Sequence, residues 1–178
     1  KVFKGGITSD GYPADELKAC LKVGQHSNLV ESIAQVNETG YSALIMKLIP
    51  DNYKNLGLPP NFDTCSRDIF PADFLLPIEL IHNIINQIND VFEHIHNQQV
   101  LHGDLYAHNT LLDQQGQILF GDFGAASMYH MLNELQQTKI KRIEQRALHI
   151  FINEMLSLCR IEEREKSDFK TLQKQYAS

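Results

Sequence analysis

The chain has 178 residues, with 16 Lys plus Arg against 22 Asp plus Glu, for a formal net charge of −6. Hydrophobic residues at 43% and charged residues at 21% exclude wholesale disorder, and the length suits one domain, or one domain and a fragment, with a real core. The acidic balance argues against a protein that grips phosphate backbones by bulk charge, while leaving room for a local basic site for one nucleotide.

Lys1-Val-Phe-Lys4 alternates polar and apolar residues and meets Gly5-Gly6, which predicts a strand end running into a loop. Ala14–Val23 follows with helical spacing: Leu17, Cys20 and Leu21 share a face, and Asp15 and Glu16 sit in the first turn, where they suit the helix dipole. Leu29–Val36 and Tyr41–Ile49 predict a two-stranded hairpin with residues 37–40 between them. Pro50, Gly57, Pro59 and Pro60 then break any regular element.

Pro77–Asn97 carries the strongest helical pattern, with Ile78, Ile81, Ile84, Ile85, Ile88, Val91, Phe92 and Ile95 at spacings of three and four. Short strands are expected at Val100–Leu101, Thr110–Leu112 and Gln117–Phe120. A second long helix is expected from about Lys139 to Leu158, with Ile143, Ala147, Ile150, Phe151, Met155 and Leu158 inward. The last twenty residues are charged and helix-compatible, and Ile161–Lys166 reads as a solvated helix face. The order gives an α+β fold with two lobes.

Cys20, Cys65 and Cys159 are odd in number, far apart and without a CxxC pair, so a disulfide framework or zinc site is not expected and a reducing, cytoplasmic setting is. Apolar runs such as Ala43–Met46 fall far short of the ~20 residues of a membrane span, so neither membrane nor nucleic acid is an expected partner. His94 and His96 are two apart and point to different sides of their helix, so they cannot form an i, i+4 metal pair. Asp68 reads as a helix cap at a loop-to-helix entry.

The densest chemistry is His102-Gly103-Asp104-Leu105-Tyr106-Ala107-His108-Asn109, with Asp122-Phe123-Gly124 beginning 13 residues past Asn109. The strand pair between them brings both ends together, so two carboxylates and an amide can face one cleft. Asn109 and Asp122 offer oxygen to a hard divalent cation that keeps waters and phosphate oxygens as its other ligands. Asp104 is left free to take a proton from an attacking hydroxyl.

HxDxxxxN followed by DFG at this distance resembles the catalytic and metal loops of the protein-kinase superfamily. The resemblance spans nearly the whole chain. It implies a two-lobed fold with a partial small β lobe at 1–49, a hinge and linker at 50–70 and a reduced helical lobe at 71–178. It also implies ATP and Mg²⁺ as cofactors, with Asp104 as base and Asn109 and Asp122 on magnesium. Lys1 is the favoured phosphate-holding lysine, paired with Glu16, and Lys4 is the alternative. Met46 would guard the back of the adenine pocket, and Lys47 and Ile49 would offer backbone groups to the adenine edge. Glu144 is expected to accept hydrogen bonds from the amides around His102 and Gly103. Leu48–Phe70, with Lys1–Asp10, is similar to bacterial kinases in which the kinase domain follows leucine-rich repeats. The sequence starts in mid-pattern without Met, which reads as a fragment with such repeats upstream.

This sequence also departs from the family pattern. It has no GxGxxG loop. Gly103 stands where an Arg commonly clamps a phosphorylated loop, and Tyr106 stands where a phosphate-steadying Lys is usual. His108 falls where tyrosine kinases often carry an Arg; it reads either as a partial substitute or as a loop-structuring residue. Only 22 steps separate Asp122 from Glu144, with no APE motif and little room for a peptide platform. His-Gly-Asp is also found in aminoglycoside and choline kinases. Three functions therefore stand: a protein serine/threonine kinase, which leads; a small-molecule phosphotransferase; and a pseudokinase interaction module.

Overall fold

The apolar periods resolve into eight short strands and four α-helices among the described residues of the computed structural model, which are 1–3, 11–39, 41–65 and 67–176. The alternative lysine, Lys4, and most of the Lys1–Asp10 resemblance lie outside the described residues. Strand β1 (Val2–Phe3), helix α1 (Pro13–Val23), β2 (Ser32–Glu38) and β3 (Tyr41–Met46) make a small lobe. Its antiparallel sheet has the order β1-β3-β2, with Val2 opposite Ala43 and Ser32 opposite Met46.

Helix α1 starts on Pro13, where a missing amide costs nothing, and stops at Gly24, whose φ of +70° suits glycine. Leu17 and Cys20 are buried as expected, but Leu21 is 47% exposed. The hairpin also differs from expectation, because β2 starts three residues later and runs two residues further. Asn28 and Val30 are taken by the other lobe: the Val30 amide donates to the Phe120 carbonyl at 2.9 Å, and the Phe120 amide to the Asn28 carbonyl at 2.8 Å. β3 stops at Met46, three residues short of the expected end, although the Lys47 amide still donates to the Glu31 carbonyl at 2.9 Å, one rung past the Ser32–Met46 pair.

After the small sheet come β4 (Lys54–Asn55), which falls inside the stretch read as irregular, then α2 (Ile78–Asn97) and β5 (Val100–Leu101). Then come the hairpin β6 (Thr110–Leu112) and β7 (Ile118–Phe120), β8 (Ser127–Met128), α3 (Glu134–Ser157) and α4 (Ser167–Tyr176). β4 joins the edge of the β6–β7 hairpin, and β8, which no sequence signal announced, pairs antiparallel with β5. All eight apolar residues expected to face inward on α2 are 2% exposed or less. At about 1.5–3 kcal/mol for each large apolar side chain buried, this face is the backbone of the core.

Two expectations about the C-terminal third are corrected. Helix α3 begins five residues early, at an Asn133–Gln136 capping box in which each side chain accepts the other residue's amide. Its inward face is also rotated from the expected one: Phe151 and Met155 are buried as expected, but Ile143 and Ile150 are 71% and 48% exposed, and Glu144, Ile152 and Leu156 are buried instead. The Ile161–Lys166 run is not a solvated helix face: Ile161–Glu163 is a 3₁₀ turn, and buried Glu163 accepts the Ile78 amide at 2.6 Å, capping α2. No helix among the described residues is long and apolar enough to cross a membrane.

Candidate active site

His102 follows β5 directly and is wholly buried, its ring 4.2 Å from that of Phe120 and 4.8 Å from that of Phe123. Its Nδ1 accepts the Asp104 amide hydrogen at 3.3 Å, which leaves the proton on Nε2 to be donated to the Gly121 carbonyl at 2.9 Å. Burial pushes its pKa down, and the nearby Glu144 charge only partly opposes this. The neutral ring is the form that satisfies both partners, so His102 ties the Asp104 loop to the Asp122 loop.

Gly103 has φ +81°, and a Cβ there would stand 2.7 Å from the Ala125 carbonyl oxygen. Any side chain at 103 has to displace that backbone. Glu144 Oε1 accepts the amides of His102 at 2.6 Å and Gly103 at 3.0 Å, and its Oε2 lies 2.6 Å from His96 Nε2. The rotation of α3 follows from this contact, since Ile143 turns outward when Glu144 turns in.

The Asp104 carboxylate accepts from Asn109 Nδ2 at 2.8 Å, and the same nitrogen donates to the Asp104 carbonyl at 3.1 Å. Asn109 spends its amide hydrogens on Asp104 and keeps its carbonyl oxygen for another partner. The Gly121 amide donates to the Asn109 backbone carbonyl at 3.3 Å, leaving Oδ1 free of it and drawing the two loops together. Asp122 sits in the left-handed region at φ 60°, ψ 77°, a conformation that a short acidic side chain tolerates. Asn109 and Asp122 line one cavity, and Asn109 Oδ1 with the Asp122 carboxylate is the oxygen pair that could hold a hard cation shared with phosphate and water.

Lys1 reaches this set from the other lobe. Its Nζ is 2.6 Å from Glu16 Oε1 and 3.3 Å from Asp122 Oδ1. Burial alone would lower the ammonium pKa, but the Glu16 hydrogen bond and the Asp122 and Glu16 charges together raise it, so the group is held charged. Lys1, Glu16, Met46, Ile49, Asn109 and Asp122 line one cavity of about 300 Å³. Lys47 instead lines an adjoining cavity with Ile49, its side chain 3.4 Å from Glu31. Asp104 is joined to the first cavity through Asn109.

Cys20 also lines the cavity, although sequence reading gave it only a packing role. Burial pushes its thiol up to about 11, partly offset by a hydrogen bond with Ser32. About one such thiol in a thousand is ionised at pH 8. Iodoacetamide at pH 8 is therefore expected to label exposed Cys65 and to spare buried Cys20 and Cys159 until the chain is unfolded. Intact-mass spectra before and after denaturant count the adducts.

Asp68 is not a helix cap. Its carboxylate accepts the Ala107 amide and lies 2.6 Å from His108 Nδ1. Those partners are 39 and 40 residues away, beyond any local sequence signal.

The family model described as protein kinase domain matches residues 8–143. A probable serine/threonine-protein kinase of Dictyostelium discoideum is 32% identical over 140 residues, covering 67% of this chain and 29% of that protein. Cyclin-dependent kinase 2 of Caenorhabditis elegans is 23% identical over 128 residues, covering 71% and 32%. Fibroblast growth factor receptor 1 of Pleurodeles waltl is 20% identical over 132 residues, covering 72% and 16%. The matched region is a third or less of each of these relatives. A lysine of the small lobe meeting the acid of Asp122-Phe123-Gly124 across a cleft, and a family match over most of the sequence, lead to one conclusion: the chain belongs to the protein kinase domain family.

Proposed function

We propose that this chain forms the nucleotide cleft of an ATP-dependent phosphotransferase acting on a serine or threonine hydroxyl of a protein. The observation that carries the reading is the bridge from Glu16 through Lys1 to Asp122, 2.6 Å and 3.3 Å long, with Asn109 on the same cavity wall. Lys1, steadied by Glu16, would hold the α- and β-phosphates. Met46 would pack behind the adenine, and the backbone of Lys47 and Ile49 would meet its edge. Asn109 and Asp122 would hold Mg²⁺, which when bound neutralises phosphate charge and orients the transferred group. Asp104 would orient the acceptor hydroxyl and take its proton. These tasks need positioning and charge more than covalent participation.

On this reading, residues 1–49 are the small lobe, 50–70 the hinge and linker, and 71–178 the larger lobe. The likeness of Leu48–Phe70 to bacterial kinases joined to leucine-rich repeats supports that subgroup, with such repeats elsewhere in the parent chain. Three free cysteines support a reducing, cytoplasmic setting. A small-molecule acceptor is the second reading. It is favoured by Gly103, whose backbone leaves no room for the Arg of loop-phosphorylated kinases.

Thermal unfolding tests the cleft. At ten times its dissociation constant, MgATP stabilises by about 1.4 kcal/mol, roughly 3–5 °C here. Lys1→Met is expected to weaken ATP binding about 10- to 100-fold through loss of charge-assisted hydrogen bonds. No shift with millimolar MgATP overturns the reading. Labelled ATP offered with dephosphorylated casein, or with kanamycin or choline, separates the two acceptor classes.

A further inference from the structure

Asp68 has no task in the function proposed above, yet its side chain is completely buried. Among the described residues it has no lysine or arginine partner; its hydrogen-bond partners are the Ala107 amide and the His108 ring. Desolvating a carboxylate is costly unless it is paired and hydrogen-bonded, so this acid is bound closely to what it holds. It holds His108 firmly. The ring also lies against Tyr106, with centroids 5.2 Å apart and planes 24° apart, and the His108 carbonyl accepts from Asn55 Nδ2 at 2.6 Å.

A carboxylate can only accept, so His108 Nδ1 is the donor. In the neutral ring that leaves Nε2 with a lone pair and no hydrogen. His108 lines the same cavity as Lys1, Asn109 and Asp122, one residue from Asn109 and four from Asp104. We propose that Asp68 fixes His108 in the Nδ1–H tautomer, so that Nε2 accepts a hydrogen bond from the acceptor substrate. The group it takes is an N–H beside the hydroxyl that is phosphorylated. His108 is then a substrate contact, and Asp68 a positioning residue acting through it. The hydroxyl's own proton still goes to Asp104, and no bond to His108 forms or breaks. A backbone N–H next to a serine or threonine is such a donor, so the contact selects peptide acceptors over plain alcohols. The inference rests on the phosphotransferase reading.

Two substitutions split the ring into its halves. In His108→Asn the amide can donate to Asp68 in place of Nδ1, but nothing stands where Nε2 stood. In His108→Gln the amide reaches the place of Nε2. With dephosphorylated casein and labelled ATP, His108→Asn is expected to raise KM for casein about tenfold while KM for ATP stays within twofold. His108→Gln is expected to keep the KM for casein near that of the native chain. Asp68→Asn, which no longer dictates the tautomer, is expected to raise it as His108→Asn does. The opposite pattern, native behaviour in His108→Asn with loss in His108→Gln, means that the ring only braces Asp68, and overturns the inference. Long-range ¹H–¹⁵N spectra of histidine-labelled protein read the ring without turnover: a bare Nε2 is expected, and a protonated Nε2 with bare Nδ1 overturns the inference whatever the rates show. If the native chain transfers no phosphate, the phosphotransferase reading fails and the ring spectrum alone decides the tautomer.

Discussion

Asp104→Asn is expected to slow phosphate transfer by about 10³-fold while changing ATP affinity by less than about threefold. The two effects separate because of where Asp104 sits. The cavity proposed to take the nucleotide is lined by Lys1, Asn109 and Asp122, and Asp104 meets it only through the Asn109 side chain, at 2.8 Å. Asn at 104 keeps the size of the group and an oxygen for Asn109 to donate to, so the floor of the cleft keeps its shape. It cannot accept the hydroxyl proton, and that task is worth about 10²–10⁴ in rate. Initial rates with labelled ATP, beside a calorimetric ATP titration, check both halves. Turnover within tenfold of the native chain removes Asp104 from the role of base, and a parallel loss of ATP binding makes it a scaffold for Asn109 instead.

That pairing was legible in the sequence because it is local. Asp104 and Asn109 are five residues apart, and a short hairpin carries the chain on to Asp122, so spacing alone puts Asn109 and Asp122 on one cavity with Asp104 behind Asn109. Helix α2 was legible for a similar reason: eight apolar residues repeat with one period, and one neighbouring core buries them all. What was not legible lies in long-range contacts that override local pattern. The apolar residues of α3 fit more than one inward face, and its pattern alone missed the one chosen; the contact that chose it, Glu144 on amides 41 and 42 residues away, was expected only through the family resemblance. Glu163 looked like one charge in a solvated run until it capped a helix 85 residues back. Leu29 and Val30 have the β-rich character of a hairpin strand, but the Phe120 backbone competes for this stretch and wins. The capping box at Asn133 is the exception, since Asn133 and Gln136 were a readable signal three residues apart.

Glu144→Ala is expected to be the most destabilising single change at the site, by about 3–5 kcal/mol, or roughly 6–20 °C in melting temperature for a domain of this size. One carboxylate, 5% exposed, satisfies two backbone amides and the ring of His96. The His96 carbonyl in turn accepts from the Tyr129 hydroxyl at 3.0 Å. Removing Glu144 strands the buried His102 amide without a partner and takes from the Gly103 amide, nearer the surface, the acceptor that holds its loop. Glu144→Gln should cost much less, because its amide oxygen can still accept both amides and the His96 ring can change tautomer to accept from its nitrogen. Acid attacks the same pivot from the other side. The unfolded His102 ring takes up a proton near 6.5, while the buried ring does so only at lower pH. Between those values the unfolded chain binds more protons, so this contribution to stability is complete above about pH 6.5 and is lost as the pH falls below it. Urea unfolding of the native chain, Glu144→Ala and Glu144→Gln at pH 7.5 and 5.5 measures both effects. If Glu144→Ala unfolds within 1 kcal/mol of the native chain, the loop carrying Asp104 is held by its own turns, and α3 does not anchor it.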